Sequence, residues 1–311
     1  MRRLLPALLA LAGLALVPLA SPGGYLLHVL IVVFLYVILA AGLDLVMGYC
    51  GQYSFAQGAF YGIGAYAAAI LHRDLGLDFW QTLPLGVLSA GAFGLLLGIP
   101  SLRLSGHFLS ITTIAFQTII YLLLTQWTSF TGGQYGLAVP KVGALSLFGH
   151  ELFRIEKVRE FYFLALAVMA VGLLVAWRLA ASRIGREWRA IHDDELVARA
   201  IGINVTRDKL VAFVASAALA GAAGVLVAYY LEGVSPSDFS IWTSATVVAM
   251  VIVGGRGTIL GPAAGAIVFT LMPEVLRATA DYKLIIFGVL MIVMVTFMPM
   301  GVAGLLRQEQ S

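Results

Sequence analysis

Long apolar runs dominate the chain, and polar residues gather in short gaps between them. A helix needs about 17–25 apolar residues to cross the hydrocarbon core of a bilayer. Such runs occur at Leu4–Ala20, Tyr25–Met47, Tyr53–Leu71, Phe79–Ile99, His107–Thr125, Phe161–Leu179, Leu210–Leu231, Ile241–Val253, Ile259–Leu276 and Leu284–Met300. The pattern predicts an all-α polytopic bundle of about ten transmembrane helices, forming a single domain over residues 1–311. The eighth run is too short for a full span, which predicts a re-entrant or broken element there.

Composition supports the same class. Charged residues make up 11% of the chain, hydrophobic residues 61%, and the mean hydropathy is +0.97. A soluble domain is about 25% charged, so lipid must cover most of this surface. The longest polar stretches, Gln126–Glu160 and Arg178–Asp208, are too short to form a soluble domain. Cys50 is the single cysteine, which excludes an intrachain disulfide. The net charge of +3 reflects topology rather than nucleic-acid binding, because basic residues collect on the cytoplasmic side of membrane proteins. With the N-terminus in the cytoplasm and the spans alternating, twelve of the 19 Lys and Arg fall inside, and the C-terminus is also cytoplasmic. Seven of these basic residues lie between Arg178 and Lys209, which places that loop in the cytoplasm. The opening MRRLLPALLALAGLALVPLASP has the look of a signal peptide but ends without a clean A-x-A site, and many spans follow. It is expected to stay as an uncleaved first helix.

The loop at residues 182–209 carries the strongest functional signal. Asp193, Asp194 and Glu195 are expected to open a short helix, with acids at the end where the dipole favours them. Glu195 and Arg199 form an i,i+4 pair, and Leu196, Val197, Ala200 and Ile201 give the helix an apolar stripe. Gly202 stands where a helix C-cap favours glycine, and Asn204 or Thr206 is placed to cap the next helix. A solvated linker needs neither stripe nor caps. The segment reads as a docking helix for a cytoplasmic partner.

Glu195, Ala198, Ala200 and Gly202 form an E-x-x-A-x-A-x-G string. It resembles the cytoplasmic coupling motif of binding-protein-dependent ABC importer permeases. The longer string RAIHDDELVARAIGINVTRDKLVAFVASAALAGAAGVL resembles the M-type permease of branched-chain amino acid importers. So do GYCGQYSFAQGAFYGIGAYAAA at Gly48–Ala69, TGGQYGL at Thr131–Leu137 and VIVGGRGTILGPAAGAIV at Val251–Val268. Cys50 and Tyr53 depart from the small or aliphatic residues usual in that family, and Gln57 replaces a frequent histidine. The resemblance implies a heteromeric importer in the bacterial inner membrane. This chain would pair with a second, similar permease, two cytoplasmic ATP-binding subunits and a periplasmic substrate-binding protein. Permeases of similar sequence also import urea, short amides or aromatic acids.

Polar residues inside the spans are candidate pathway groups, because each is costly in lipid. Asp44, Gln52, Ser54, Gln57 and Gln117 are the leading ones, with Thr112, Thr113, Glu232 and Glu274 behind them. Gln52, Ser54 and Gln57 sit around a Gly-rich bend, where they either line the pathway or satisfy backbone freed by the glycines. Asp44, within a turn of the end of its span, either faces the pathway or snorkels to the interface. Few charges lie deep, and neither paired buried acids nor a clear inverted repeat supports an ion-coupled secondary transporter. The chain has no phosphate-binding G-x-x-x-x-G-K-[ST] loop, so a partner must hydrolyse any ATP. The five histidines lack metal-ligand spacing, and no catalytic or nucleic-acid motif occurs, so neither enzyme nor cofactor is implied.

Overall fold

In the computed structural model, the structure describes residues 13–18, 24–101, 107–142, 145–147, 150–153, 155, 157–275 and 288. The last expected span, Leu284–Met300, lies outside the described residues apart from residue 288. Of the first expected span only residues 13–18 are described, and they are helical.

Helix α1 (Gly24–Asp44) continues without a break into a π-helical turn at Leu45–Tyr49. An irregular, largely buried stretch then leads to α2 (Gln57–Leu75). Next come α3 (Phe79–Ser101), α4 (His107–Gln126), the single turn α5 (Thr128–Thr131) and a 3-10 turn at Gly133–Tyr135. Short strands β1 (Leu137–Ala138), β2 (Leu145–Leu147) and β3 (His150–Phe153) precede α6 (Val158–Ala181). Two short helices follow, α7 (Arg183–Asp193) and α8 (Glu195–Ala200), and then the long α9 (Val205–Tyr230). Strand β4 (Gly233–Val234), a 3-10 turn at Pro236–Phe239, α10 (Ile241–Gly254) and α11 (Leu260–Val275) complete the described chain. Strands β2 and β3 form an antiparallel hairpin, and β1 pairs antiparallel with β4.

Five helices (α1, α3, α4, α6 and α9) are long and apolar enough to cross a membrane. α1 and α9 are the most buried and show almost no amphipathic bias, as helices surrounded by other helices should. α9 packs against α1, α2 and α3, while α6 and the α10–α11 hairpin pack on α1. The outer helices α3, α4 and α6 leave aliphatic side chains such as Leu88, Ile111, Ile119 and Val171 exposed, which is the composition lipid requires.

Small residues set the seams. A Cβ at Gly94 would sit 2.6 Å from Ala217 Cβ, and one at Gly98 2.7 Å from Leu210 Cδ2, so this pair seats α3 on α9. Gly261 and Gly265 turn toward Gly254, Gly255 and Met250 and close the α10–α11 hairpin. Without interhelical water to expel, such close backbone approach is a main source of attraction between helices in lipid.

Two elements begin in mid-bundle. Gln57, the first residue of α2, donates from Nε2 to Leu39 O of α1 at 2.9 Å and accepts from Ser216 Oγ of α9 at 3.0 Å. Ser216 lies eleven residues into α9, about 16 Å along its axis. The chain therefore runs as irregular backbone to that depth before α2 starts. α10 also starts inside the bundle, where Phe239 touches Tyr61 and Tyr66 of α2. Its 14 residues make about 21 Å, short of the roughly 30 Å hydrocarbon core. The eighth run is thus a broken element: β4 and the 3-10 turn lead down to mid-depth, and α10 goes on from there.

Candidate functional site

The loop after α6 is two helices rather than one. Ser182 Oγ caps α7 by accepting from Gly185 N at 3.4 Å. α7 is strongly amphipathic: Trp188 and Ile191 are buried while its arginines face out. Trp188 Nε1 donates to Asp208 O at 2.8 Å, and Arg189 donates to Ala180 O at 2.7 Å, so α7 is clamped to the ends of α9 and α6. The chain then breaks at Asp194, whose backbone is extended (φ −157°, ψ 115°).

That break corrects the sequence expectation for Asp193. It closes α7 instead of opening the acidic helix, and Asp194 is the cap of α8. Asp194 Oδ1 accepts from Leu196 N at 2.8 Å and Val197 N at 3.1 Å, satisfying two of the first amides of α8. Gly202 ends the helix at φ +87°, with Gly202 N donating to Arg199 O and Ile203 N to Ala198 O, both at 3.1 Å. Asn204, not Thr206, caps α9, its Oδ1 accepting from Arg207 N at 3.1 Å.

α8 is tethered from below and bare on top. Ala198 is fully buried. Glu195 pairs with Arg199 at 2.5 Å and with Lys209 Nζ at 2.8 Å, and Lys209 is itself buried at the start of α9. Partial burial raises the Glu195 pKa, but the hydrogen bond from Lys209 and the charges of Lys209 and Arg199 outweigh it and hold the carboxyl below its ordinary value. On the other side, Leu196, Val197 and Ile201 are 76%, 57% and 68% exposed, and Ala200 is exposed with them. Nothing in the described chain covers this stripe.

The candidate polar residues inside the bundle fall into two groups. Gln57 and Gln117 are fully buried and belong to one mid-depth layer. Gln117 Nε2 donates to Phe239 O at 2.7 Å, and its Oε1 accepts from Ser244 Oγ at 3.0 Å. Ser244 Oγ also accepts from Gly58 N at 2.8 Å. The layer therefore satisfies the backbone freed where α2 and α10 begin. Ser216 and Ser244 complete it and were not singled out from the sequence. A lone serine in an apolar run carries no signal until its partner is known.

The second group shapes the entry to α2. Gln52 N donates to Val46 O at 2.9 Å and Gln52 Nε2 to Cys50 O at 3.3 Å; Ser54 Oγ accepts from Ala56 N at 3.3 Å. Thr113 Oγ1 accepts from Phe55 N at 3.0 Å. Asp44 is buried at the foot of α1 and accepts from Gly257 N at 2.9 Å. Arg256 hydrogen-bonds Tyr53 OH and lies over its ring at 5.7 Å. Among the described residues, no three His, Cys, Asp or Glu side chains converge to hold a metal.

The family model for the permease component of the branched-chain amino acid transport system matches residues 25–295. The chain belongs to this permease family. The permease is 36% identical over 296 residues to the high-affinity branched-chain amino acid transport permease LivM of Escherichia coli K12, covering 88% of this chain and 69% of that one. The LivM protein of Salmonella typhimurium matches to the same extent. The high-affinity branched-chain amino acid transport permease LivH of E. coli K12 is 26% identical over 287 residues, 86% of this chain and 91% of that one. No solved structure matches. The permease is a multi-pass membrane transport protein, and the strings at Gly48–Ala69, Thr131–Leu137, Arg189–Leu226 and Val251–Val268 all fall inside the matched region.

Proposed function

We propose that this permease is one of two membrane halves of an ATP-driven importer for branched-chain amino acids, with its ATPase docked on α8. The observation that carries this reading is the exposed stripe of Leu196, Val197, Ala200 and Ile201 on a helix fixed at both ends by Asp194 and Gly202. An apolar face left bare beside arginines at the end of a membrane bundle is suited to a protein groove, not to water or lipid. Asp193, Glu195 and Arg199 line its polar flank.

A second, homologous permease completes the translocation pathway, two ATP-binding subunits dock from the cytoplasm, and a periplasmic binding protein delivers substrate to the opposite end. The concentration of arginines on α7 and α8 supports a cytoplasmic placement of that end in the inner membrane, with both termini inside. Asp44, Gln52, Ser54, Gln57 and Gln117 serve the pathway by holding the broken elements beside it. The relatives' names support branched-chain amino acids as substrate. The chain itself hydrolyses nothing and needs no cofactor.

Reconstitution into proteoliposomes with the second permease, the ATPases and the binding protein tests this. Leucine uptake should require ATP and all four partners. Uptake by the permeases alone, driven by an ion gradient, would replace this reading with a secondary transporter.

A further inference from the structure

The bare stripe explains where an ATPase holds the permease, but not how its motion reaches the bundle. One chain of contacts leads from the docking loop to the broken element α10. His192, in the last turn of α7, donates from Nδ1 to Gly48 O at 3.0 Å. Gly48 lies in the π-helical turn Leu45–Tyr49, a type of irregularity that is uncommon and often functional. The same turn abuts the tip of the α10–α11 hairpin: a Cβ on Gly257 would lie 3.2 Å from Gly48 O. A Cβ on Gly48 would run into Gly257 N and the Asp44 carboxylate, so neither glycine admits a side chain without parting the two turns. Asp44, one turn before Gly48, ties the contact by accepting from Gly257 N at 2.9 Å.

Both ends of this chain are stiff. α7 is fixed by Trp188 and Arg189, and α8 follows it after Asp194 alone. At the far end, Ser244, in the first turn of α10, holds Gly58 N of α2 and Gln117 of α4 in the mid-depth layer. A displacement at Gly48 is therefore passed to Gly257 and along α10 to the place where two broken elements meet. Packed elements of this kind shift as units instead of deforming continuously.

Resting on the importer reading, we propose that His192 and Asp44 are positioning residues of the transport cycle, linking the docking loop to the α10–α11 hairpin through the Gly48–Gly257 contact. Asp44 thereby acts on the hairpin and not on substrate. His192 is exposed, so His192→Ala should leave the fold intact.

The test is leucine uptake per ATP hydrolysed by the complete importer in nanodiscs or proteoliposomes, with His192→Ala, His192→Asn and Asp44→Asn. His192→Ala should retain the ATPases fully and hydrolyse ATP at the basal rate. Its uptake per ATP should fall roughly 3- to 10-fold, the factor one lost hydrogen bond is worth. His192→Asn, which keeps a side-chain N–H, should recover most of the loss, and Asp44→Asn, which keeps the acceptor, should couple nearly normally. An unchanged uptake-to-ATP ratio in His192→Ala would overturn the proposal. So would loss of the ATPases from that variant, since His192 would then be part of the dock. A wild-type complex that fails to transport with ATP would instead overturn the importer reading itself.

Discussion

At Gly202 the backbone alone makes the demand. Its φ of +87° is one that side-chain-bearing residues rarely adopt, yet a Cβ there would meet nothing within 4 Å. Gly202→Val therefore introduces strain without a clash, of order 1–3 kcal/mol for a β-branched residue. The expected outcome is normal membrane abundance with reduced ATP-driven uptake, because the exit angle of α8 changes while the bundle does not. Loss of abundance would show that the loop supports folding instead. Glu195 adds a pH signature. Its pKa is depressed in the fold, so its pairing with Lys209 and Arg199 stabilises the loop above the carboxyl's ordinary value, about 4.3. That stability is lost as pH falls through the lower folded value. Proteolytic protection of the loop should hold at neutral pH and decline in acid, and Glu195→Gln should flatten that profile. The glycine and the Glu195–Arg199 pair were legible in sequence because they are local. Lys209, fourteen residues away, was not.

The same division holds for whole elements. Long apolar runs gave α1, α3, α4, α6 and α9, with ends off by up to five residues where polar residues open a helix, because lipid sets a minimum length for all of them. The break between α7 and α8 escaped the pattern: HDDE reads equally as the end of one helix and the start of the next. So did the depth at which α2 begins. The run Tyr53–Leu71 reads as helix from its first residue, whereas the chain stays irregular to Ala56 and α2 extends to Leu75. For Gln57 the sequence leaves pathway lining and backbone support both open, and the partners of Gln57 and Gln117, on α1, α9 and the 3-10 turn before α10, favour support of broken backbone. Gln117→Leu should therefore leave the Phe239 carbonyl without its donor and Ser244 without its acceptor inside the bundle. About 1–3 kcal/mol is lost for each group left unsatisfied. Thermal unfolding of the purified permease in detergent should show a clear drop in midpoint, and an unchanged midpoint would mean that the layer is not structural.

The described residues make a lipid-facing belt, a glycine-seamed interior and a basic end where an apolar stripe is left uncovered. Family membership says that the chain is a transport permease, and the stripe is the proposed place where it meets its motor. Burying one Leu fully contributes about 1.5–3 kcal/mol, and an aspartate in its place adds a desolvation penalty. A loss of about 2–4 kcal/mol weakens association by roughly 30- to 1,000-fold. Because Leu196 touches no core of its own, Leu196→Asp should fold and insert normally. The decisive measurement is copurification of the ATP-binding subunits with Leu196→Asp, normalised to the amount of permease. Near-complete loss of the ATPases from a normally abundant permease is the predicted result, and full retention, or loss of the permease itself, would contradict the account.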